Sequence, residues 1–162
     1  MSNLTVRKIP RNGKGVFSKR NFKKGELITK VTGKIIPLKK ALSMSSYYLN
    51  HMGSISKDKC ILMNPPAKFI NHSCNPNAYE VKKKVLAMRN IKKGDEITFD
   101  YSKNGVPEVD NWKMKCRCKS KKCRKIIHGE FFRLPRKLQK KYVPYLDSWF
   151  RKEFKEELKK LK

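Results

Sequence analysis

Acidic residues are scarce in this chain. Its 162 residues hold 13 Asp and Glu against 41 Lys and Arg, a formal net charge of +28. Such a field attracts nucleic acid or another polyanion, and it repels a basic protein at long range. A Lys-rich surface that is merely solvated gives the same total, so the charge says little about fold. Long apolar runs are absent as well. Nothing approaches the ~20 residues of a membrane span, and the first fifteen residues, MSNLTVRKIPRNGKG, hold no apolar stretch of the kind a secretion signal needs. The expectation is an intracellular protein without a membrane partner: nucleoid and cytoplasm in a prokaryote, nucleus or a host nucleus otherwise. Cysteines number only five, at 60, 74, 116, 118 and 123. An odd count without a secretion signal argues against a disulfide framework, and clustered spacing in an intracellular chain argues for metal.

What is present is enough for one domain with a core and too little for two ordinary ones. Hydrophobic residues at 38% mark the chain as globular despite its charge. Residues 4–9 (LTVRKI) alternate as a strand, followed by a breaker-rich turn, PRNGKG. A turn at Lys24-Gly25 feeds a β-run ending at Pro37. Residues 38–50 suit a short helix, and CILMN (60–64) a brief buried strand stopped by Pro65-Pro66. AYEVKKKVLAMRNI (78–91) reads as a hairpin turning in the Lys82–Lys84 run, and KKGDEITFDY (92–101) as a turn into a strand. From Leu146 the apolar residues Trp149, Phe150, Phe154, Leu158 and Leu161 recur at steps of three and four. That predicts an amphipathic helix with Asp147 or Ser148 near its start. Its apolar face packs on the domain or serves a partner. No internal repeat is read.

CRCKSKKC places Cys116, Cys118 and Cys123 within eight residues. Zinc takes a closed tetrahedral site of four ligands with Zn–S near ~2.3 Å, so three local thiols call for a distant fourth. Cys74, Cys60 and the histidines are candidates. Eight Lys and Arg in residues 112–125 would acidify unmetallated thiols there.

Four motifs now stand in order: GKG at 13–15, FINHSC at 69–74, GDEITFDY at 94–101, and the cysteine cluster. Over roughly residues 4–130 the chain resembles the SET-domain protein-lysine methyltransferases that carry a post-SET zinc motif, of the compact single-domain type. The resemblance implies a mainly β fold of several small sheets with a pseudoknot, a zinc-bound post-SET segment and a C-terminal helix. It divides the chain into a SET domain (1–101), a post-SET zinc segment (102–130) and a C-terminal extension (131–162). It implies S-adenosylmethionine as methyl donor and one structural Zn2+, with Cys74 as fourth ligand beside Cys116, Cys118 and Cys123, and Cys60 left in the core.

The same resemblance implies site residues. Lys14 and Gly15, Asn71, His72 through its backbone, and Tyr101 line the cofactor site, with one of Tyr47 and Tyr48 (Tyr48 preferred) and one of Phe131 and Phe132 (Phe132 preferred). The pseudoknot brings Tyr101 beside Asn71. Tyr101 is the expected catalytic residue, orienting groups without serving as base. Phe99 sets product specificity: lacking a hydroxyl, it leaves room for di- or trimethylation. Relatives place an acidic residue where this chain has Asn64. The substrate is a protein presenting a lysine, histone-like or other, recruited by an acidic groove (Glu80, Glu108, Asp110 and Glu130 are the candidates) or through nucleic acid. The competing reading is a catalytically inactive basic zinc protein that binds nucleic acid, for which WKMKCRCKSKKCRK (112–125) is suited. The assembly is a monomer or a homodimer.

Overall fold

A computed structural model describes residues 3–10, 13–109 and 111–161. Arg11 and Asn12 of the first turn, and Asp110 among the acidic candidates, lie outside the described residues. Strands β1 (Leu4–Ile9) and β2 (Gly13–Ser18) pair antiparallel. Then come β3 (Leu27–Lys30), β4 (Gly33–Pro37), helices α1 (Leu38–Leu42) and α2 (Ser46–Leu49), β5 (Met52–Ser54) and β6 (Lys59–Met63). The middle of the chain gives β7 (Asn71–His72), β8 (Ala78–Val81), β9 (Lys84–Ala87) and β10 (Thr98–Phe99). The remainder gives β11 (Lys113–Lys115), β12 (Ile126–His128), α3 (Arg136–Tyr142), α4 (Ser148–Glu153) and α5 (Lys155–Lys159). Among the described residues the strands form five small sheets: β1–β2, β4–β6–β5, β3–β9–β8, β11–β12 and the parallel pair β7–β10. No helix among them is long and apolar enough to cross a membrane.

Short strands with frequent turns cannot share one large sheet, so the core is divided. One cluster gathers Val16, Phe22, Ile70, Val85, Ile91 and Ile97 between the N-terminal sheets. A second sets Cys60 and Val106 against Phe131, Tyr142, Leu146, Phe150 and Phe154 of the C-terminal segment. A third holds Cys74, Cys116 and Ile127. Cys60 is buried in the second, and burial pushes its thiol up to about 11.

The C-terminal apolar stripe does not form one helix. It is split at Phe154, whose φ of −106° and ψ of 36° end α4 and begin α5. Phe154 turns into the aromatic cluster, 4.5 Å from Phe150 and 5.4 Å from Phe132 between ring centroids. Phe154 and Leu161 are both buried.

The hairpin turns at Lys82 and Lys83, with φ of 49° and 56°. Turns of that hand favour Asn-Gly, so two lysines there need outside support. Asp147 supplies it. Its carboxylate, 5% exposed with its residue, accepts the Lys82 backbone N–H and also caps α4 by accepting from Trp149 N. Lys103, itself buried, donates from Nζ to the carbonyls of Glu80 and Tyr145 at 2.6 and 2.9 Å, tying the same two segments. Burial, opposed by Glu80, Asp147 and Asp100, brings this ammonium down to about 8. Asp147→Ala removes a cap worth about 1 kcal/mol and orphans a half-buried N–H worth about 1 kcal/mol or more. Urea unfolding should show stability lower by ~2 kcal/mol, with Asp147→Asn losing less. An unchanged midpoint would refute this role.

Candidate active site and metal centre

The NHSC segment and the FDY segment lie side by side. Asn71 pairs with Thr98 and His72 with Phe99 in the parallel β7–β10 register, and Ser73 N donates to Phe99 O at 3.1 Å. Two-residue strands are held by few bonds, and Asn77 adds to them. Its amide donates to Glu96 O at 2.8 Å while its carbonyl accepts Thr98 N at 2.9 Å, much as a peptide group would. Tyr101 follows β10. Its hydroxyl donates to Ile70 O at 2.9 Å, and its backbone N–H donates to His72 Nδ1 at 3.2 Å. Tyr101 is thus tied to the chain neighbours of Asn71 on both sides. Burial pushes the Tyr101 phenol well above its ordinary range, so it is a hydroxyl at neutral pH.

A cavity of about 120 Å3 opens beside this crossing. Phe99, Tyr101, Ile70, Met63 and Trp112 supply apolar wall, and Asn50 part of the polar rim. Tyr101 stands 5.5 Å from Phe99 and 6.3 Å from Trp112 between ring centroids. Trp112 Nε1 donates to Asn50 Oδ1 at 3.0 Å, so the segment leading into the cysteines is joined to the wall after α2. Neither Trp112 nor Asn50 stands out in the sequence as a site residue. The only signal for Trp112 is a large aromatic shortly ahead of the cysteine run.

On the β2 side, Asn71 Nδ2 donates to Lys14 O at 3.0 Å and to Glu96 Oε1 at 2.8 Å. Gly15 makes this possible. A Cβ there would lie 2.2 Å from Ile9 Cδ1, 2.8 Å from Glu96 Oε1 and 3.1 Å from Asn71 Nδ2. The end of the Ile9 side chain covers Gly15, with an amide, a carbonyl and a carboxylate beside it. Glu96 is the member that sequence reasoning missed, although it stands inside GDEITFDY.

Other expected residues are not brought to this group. Tyr47 and Tyr48 are exposed and meet edge-on at 5.4 Å, with Tyr47 Oη accepting from Lys68 Nζ at 3.0 Å. Neither lines the cavity. Phe132 stacks on Phe150 at 6.0 Å, and Phe131 meets Phe132 edge-on at 5.2 Å, so both belong to the C-terminal aromatic cluster.

The Sγ atoms of Cys74, Cys116, Cys118 and Cys123 all lie within 4.8 Å of one another. Cys74 and Cys116 are 3.7 Å apart, close to the about 3.8 Å edge of a tetrahedron with 2.3 Å metal–sulfur bonds. Arg124 N and Lys125 N donate to Cys74 Sγ and Cys123 Sγ at 3.3 and 3.4 Å, which suits anionic sulfur. The donor set could hold a metal ion. The expectation that the cations of residues 112–125 acidify the clustered thiols does not hold for Cys116, which burial pushes up, whereas at Cys118 burial is outweighed by hydrogen bonds that lower it to about 7. Burial also raises Cys74, with Arg124 opposing.

His72 links the two centres. Burial, outweighing nearby Asp100, lowers its imidazole to about 4, so it is neutral at physiological pH. Its Nδ1 accepts from Tyr101 N, which assigns the ring proton to Nε2, 3.2 Å from Cys74 Sγ. Behind it, the Asp100 carboxylate accepts from Arg124 at 2.7 Å and from Tyr142 at 2.9 Å.

The SET domain model matches residues 13–102, more than half of the chain. A variant-silencing SET domain-containing protein of Plasmodium falciparum is 33% identical over 144 residues, 76% of this chain and 6% of that protein. Human histone-lysine N-methyltransferase 2B is 29% identical over 133 residues, 72% of this chain and 5% of that protein. A histone-lysine N-methyltransferase, H3 lysine-36 specific, of Debaryomyces hansenii is 29% identical over 146 residues, 80% of this chain and 20% of that protein. The chain thus spans a small fraction of the length of these relatives. With the matched motifs brought together where β7 pairs with β10 and β2 meets Asn71, this chain belongs to the SET-domain family.

Proposed function

We propose that the chain is a protein-lysine N-methyltransferase using S-adenosylmethionine. The observation that carries this reading is the Tyr101 phenol, kept protonated and fixed on Ile70 O at the wall of a narrow apolar cavity beside the Asn71 segment. The amino-acid end of the cofactor would lie against Gly15, with the flexible end of Ile9 turned aside. Asn71, Lys14 O and Glu96 would hold it there, and the carboxylate suits an ammonium group. When bound, the cofactor supplies an electrophilic methyl on a sulfonium. The chain's own residues do the remainder. Free lysine titrates near ~10.4, and an apolar channel favours its neutral amine. The Tyr101 oxygen donates to Ile70 and keeps lone pairs with which to orient that amine. As the N–C bond forms and the donor's C–S bond breaks, the surplus proton leaves to solvent. Alignment supplies most of the acceleration. The same reading divides the chain near residues 101 and 130.

Incubated with labelled cofactor and histones or a lysate, the wild type should label a defined lysine. Tyr101→Phe should lose about a hundredfold or more of that rate while remaining folded, its melting temperature lower by only a few degrees for the lost hydrogen bond to Ile70 O. Equal labelling by both would remove Tyr101 from the chemistry. Phe99 faces the same cavity without a hydroxyl, so the wild type should build di- or trimethyl-lysine and Phe99→Tyr should stop earlier. An unchanged product distribution by mass spectrometry would sink that assignment.

We further propose one structural Zn2+ on Cys74, Cys116, Cys118 and Cys123. Burial raises the Cys74 and Cys116 thiols, so binding must displace their protons, and affinity should fall as pH falls. Metal analysis should find about one zinc per chain. Stripping it with a chelator should release the 112–128 segment, read as a change in tryptophan fluorescence and a lower melting temperature. Retention of both after complete zinc loss would show that the metal is not structural.

The substrate is a protein lysine, with histone or other chromatin proteins suggested by the relatives' names. Of the acidic candidates, Glu80 lines the cavity and accepts from Lys83 N and Asn104, Glu130 pairs with Arg133 at 3.4 Å, and Glu108 is exposed in a short turn.

A further inference from the structure

The expectation of no internal repeat needs one correction: two nine-residue stretches repeat one another. Residues 20–28 are RNFKKGELI and residues 89–97 are RNIKKGDEI, identical at six positions. The fold sets them back to back. Phe22 and Ile91 exchange both backbone hydrogen bonds, each 2.9 Å. Asn90 accepts Lys24 N at 2.9 Å, and Asn21 accepts Lys93 N at 2.8 Å. Glu26 accepts Lys23 N at 2.8 Å, and Asp95 accepts Lys92 N at 2.9 Å. Gly25 and Gly94 carry φ of +83° and +93°, closing both turns alike. Each bond of one turn has its counterpart in the other, so a local two-fold axis passes between Phe22 and Ile91.

This arrangement disposes of the acidic side chains. Glu26 and Asp95 are turned onto their own backbones, and Glu26 also holds Arg20 at 2.6 Å. Arg20 lies over the Phe22 ring, and Arg89 donates to Asn75. Lys23, Lys24, Lys92 and Lys93 are exposed, and among the described residues no salt bridge takes up their ammonium groups. Two dyad-related lysine pairs therefore stand on a backbone locked by six hydrogen bonds. Phe22 and Ile91 at the centre are each 1% exposed, so the centre of the face offers charge and no apolar anchor.

A protein partner wants an apolar centre to its interface. A phosphate backbone wants fixed cations, and it binds through release of counterions. Duplex nucleic acid adds a geometric match, because its antiparallel strands place phosphates about local two-fold axes, the symmetry that paired protein elements exploit. We propose that the paired turns at 20–26 and 89–95 dock the phosphate backbone of double-stranded nucleic acid. None of their residues lines the Tyr101 cavity, although the second turn adjoins Glu96 beside Gly15. Docking there would let a strongly basic protein reach lysines on proteins already bound to nucleic acid.

The test is fluorescence anisotropy with a labelled duplex of about 20 base pairs, titrated at several salt concentrations. The wild type should bind with a steep salt dependence. The quadruple variant Lys23→Gln, Lys24→Gln, Lys92→Gln, Lys93→Gln should weaken binding by about tenfold or more. It should also flatten the salt slope by up to ~3.6, at about 0.9 for each phosphate no longer neutralised. Each half, Lys23→Gln with Lys24→Gln or Lys92→Gln with Lys93→Gln, should weaken binding by a similar factor, as the dyad requires. Glutamine keeps the backbone bonds, melting curves check folding, and the halves serve if the quadruple variant is unstable. A control of equal charge change, with glutamine at Lys121, Lys122, Lys140 and Lys141, should cost less than about threefold. An equal loss in the control would assign binding to the overall field and overturn the proposal. So would an unaffected quadruple variant, or tighter binding of single strands. None of these readouts uses methyl transfer, so they stand or fall apart from the proposed activity.

Discussion

The Asp100 carboxylate is the junction on which the rest of the structure depends. Its side chain is fully buried, and it accepts from Arg124 of the cysteine segment, from Tyr142 of α3, and from Ser102 N just after the site tyrosine. A carboxylate in such surroundings is tolerated only with charge and hydrogen bonds to match. Each of those partners comes from a different part of the chain. Asp100 therefore requires the cysteine segment and the C-terminal extension to be in place, and both are positioned by it in turn. Tyr101 is the next residue, so the wall of the cavity inherits this rigidity directly.

Burial also sets the protonation of the groups around the junction. It holds His72 neutral and Tyr101 as a phenol, and it raises the Cys74 and Cys116 thiols. His72 can then accept from Tyr101 N on one side and direct its proton to Cys74 Sγ on the other. A bound metal would make that sulfur anionic and strengthen the contact, coupling metal occupancy to the backbone at Tyr101. That coupling would run through the two hydrogen bonds of His72.

Charge is separated from chemistry in this molecule. The cavity is walled by aromatic and aliphatic side chains with a few polar groups, while the excess of cations lies outside it. The repeated turn is a hydrogen-bonded part of that exterior, in which backbone N–H groups hold the Glu26 and Asp95 carboxylates and the lysine ammonium groups make no salt bridge among the described residues. A field of this kind steers encounter with polyanions without altering the dielectric of the buried site.

Several features were legible in the sequence by local rules. The hairpin at Lys82–Lys84, the start of α4 at Asp147, the brief strand at Cys60 and the clustering of Cys116, Cys118 and Cys123 follow from spacing, turn residues and the chemistry of thiols. Cys74 as their fourth partner, Asn71 and Tyr101 were named through the family resemblance carried by their motifs. Other features have no local signature. The break at Phe154 was decided by where the aromatic cluster has room, since the three-and-four spacing is the same for one helix or two. Glu96 against Gly15, Trp112 against Asn50, and Asp100 between Arg124 and Tyr142 join residues far apart in the chain, and only packing reveals such pairs. Even the repeated turn, written plainly in the letters, becomes a paired surface only when Phe22 and Ile91 are buried against each other. The sequence by itself determined which groups are present and their local geometry. The tertiary structure decided which of them meet, because burial sets both neighbours and protonation.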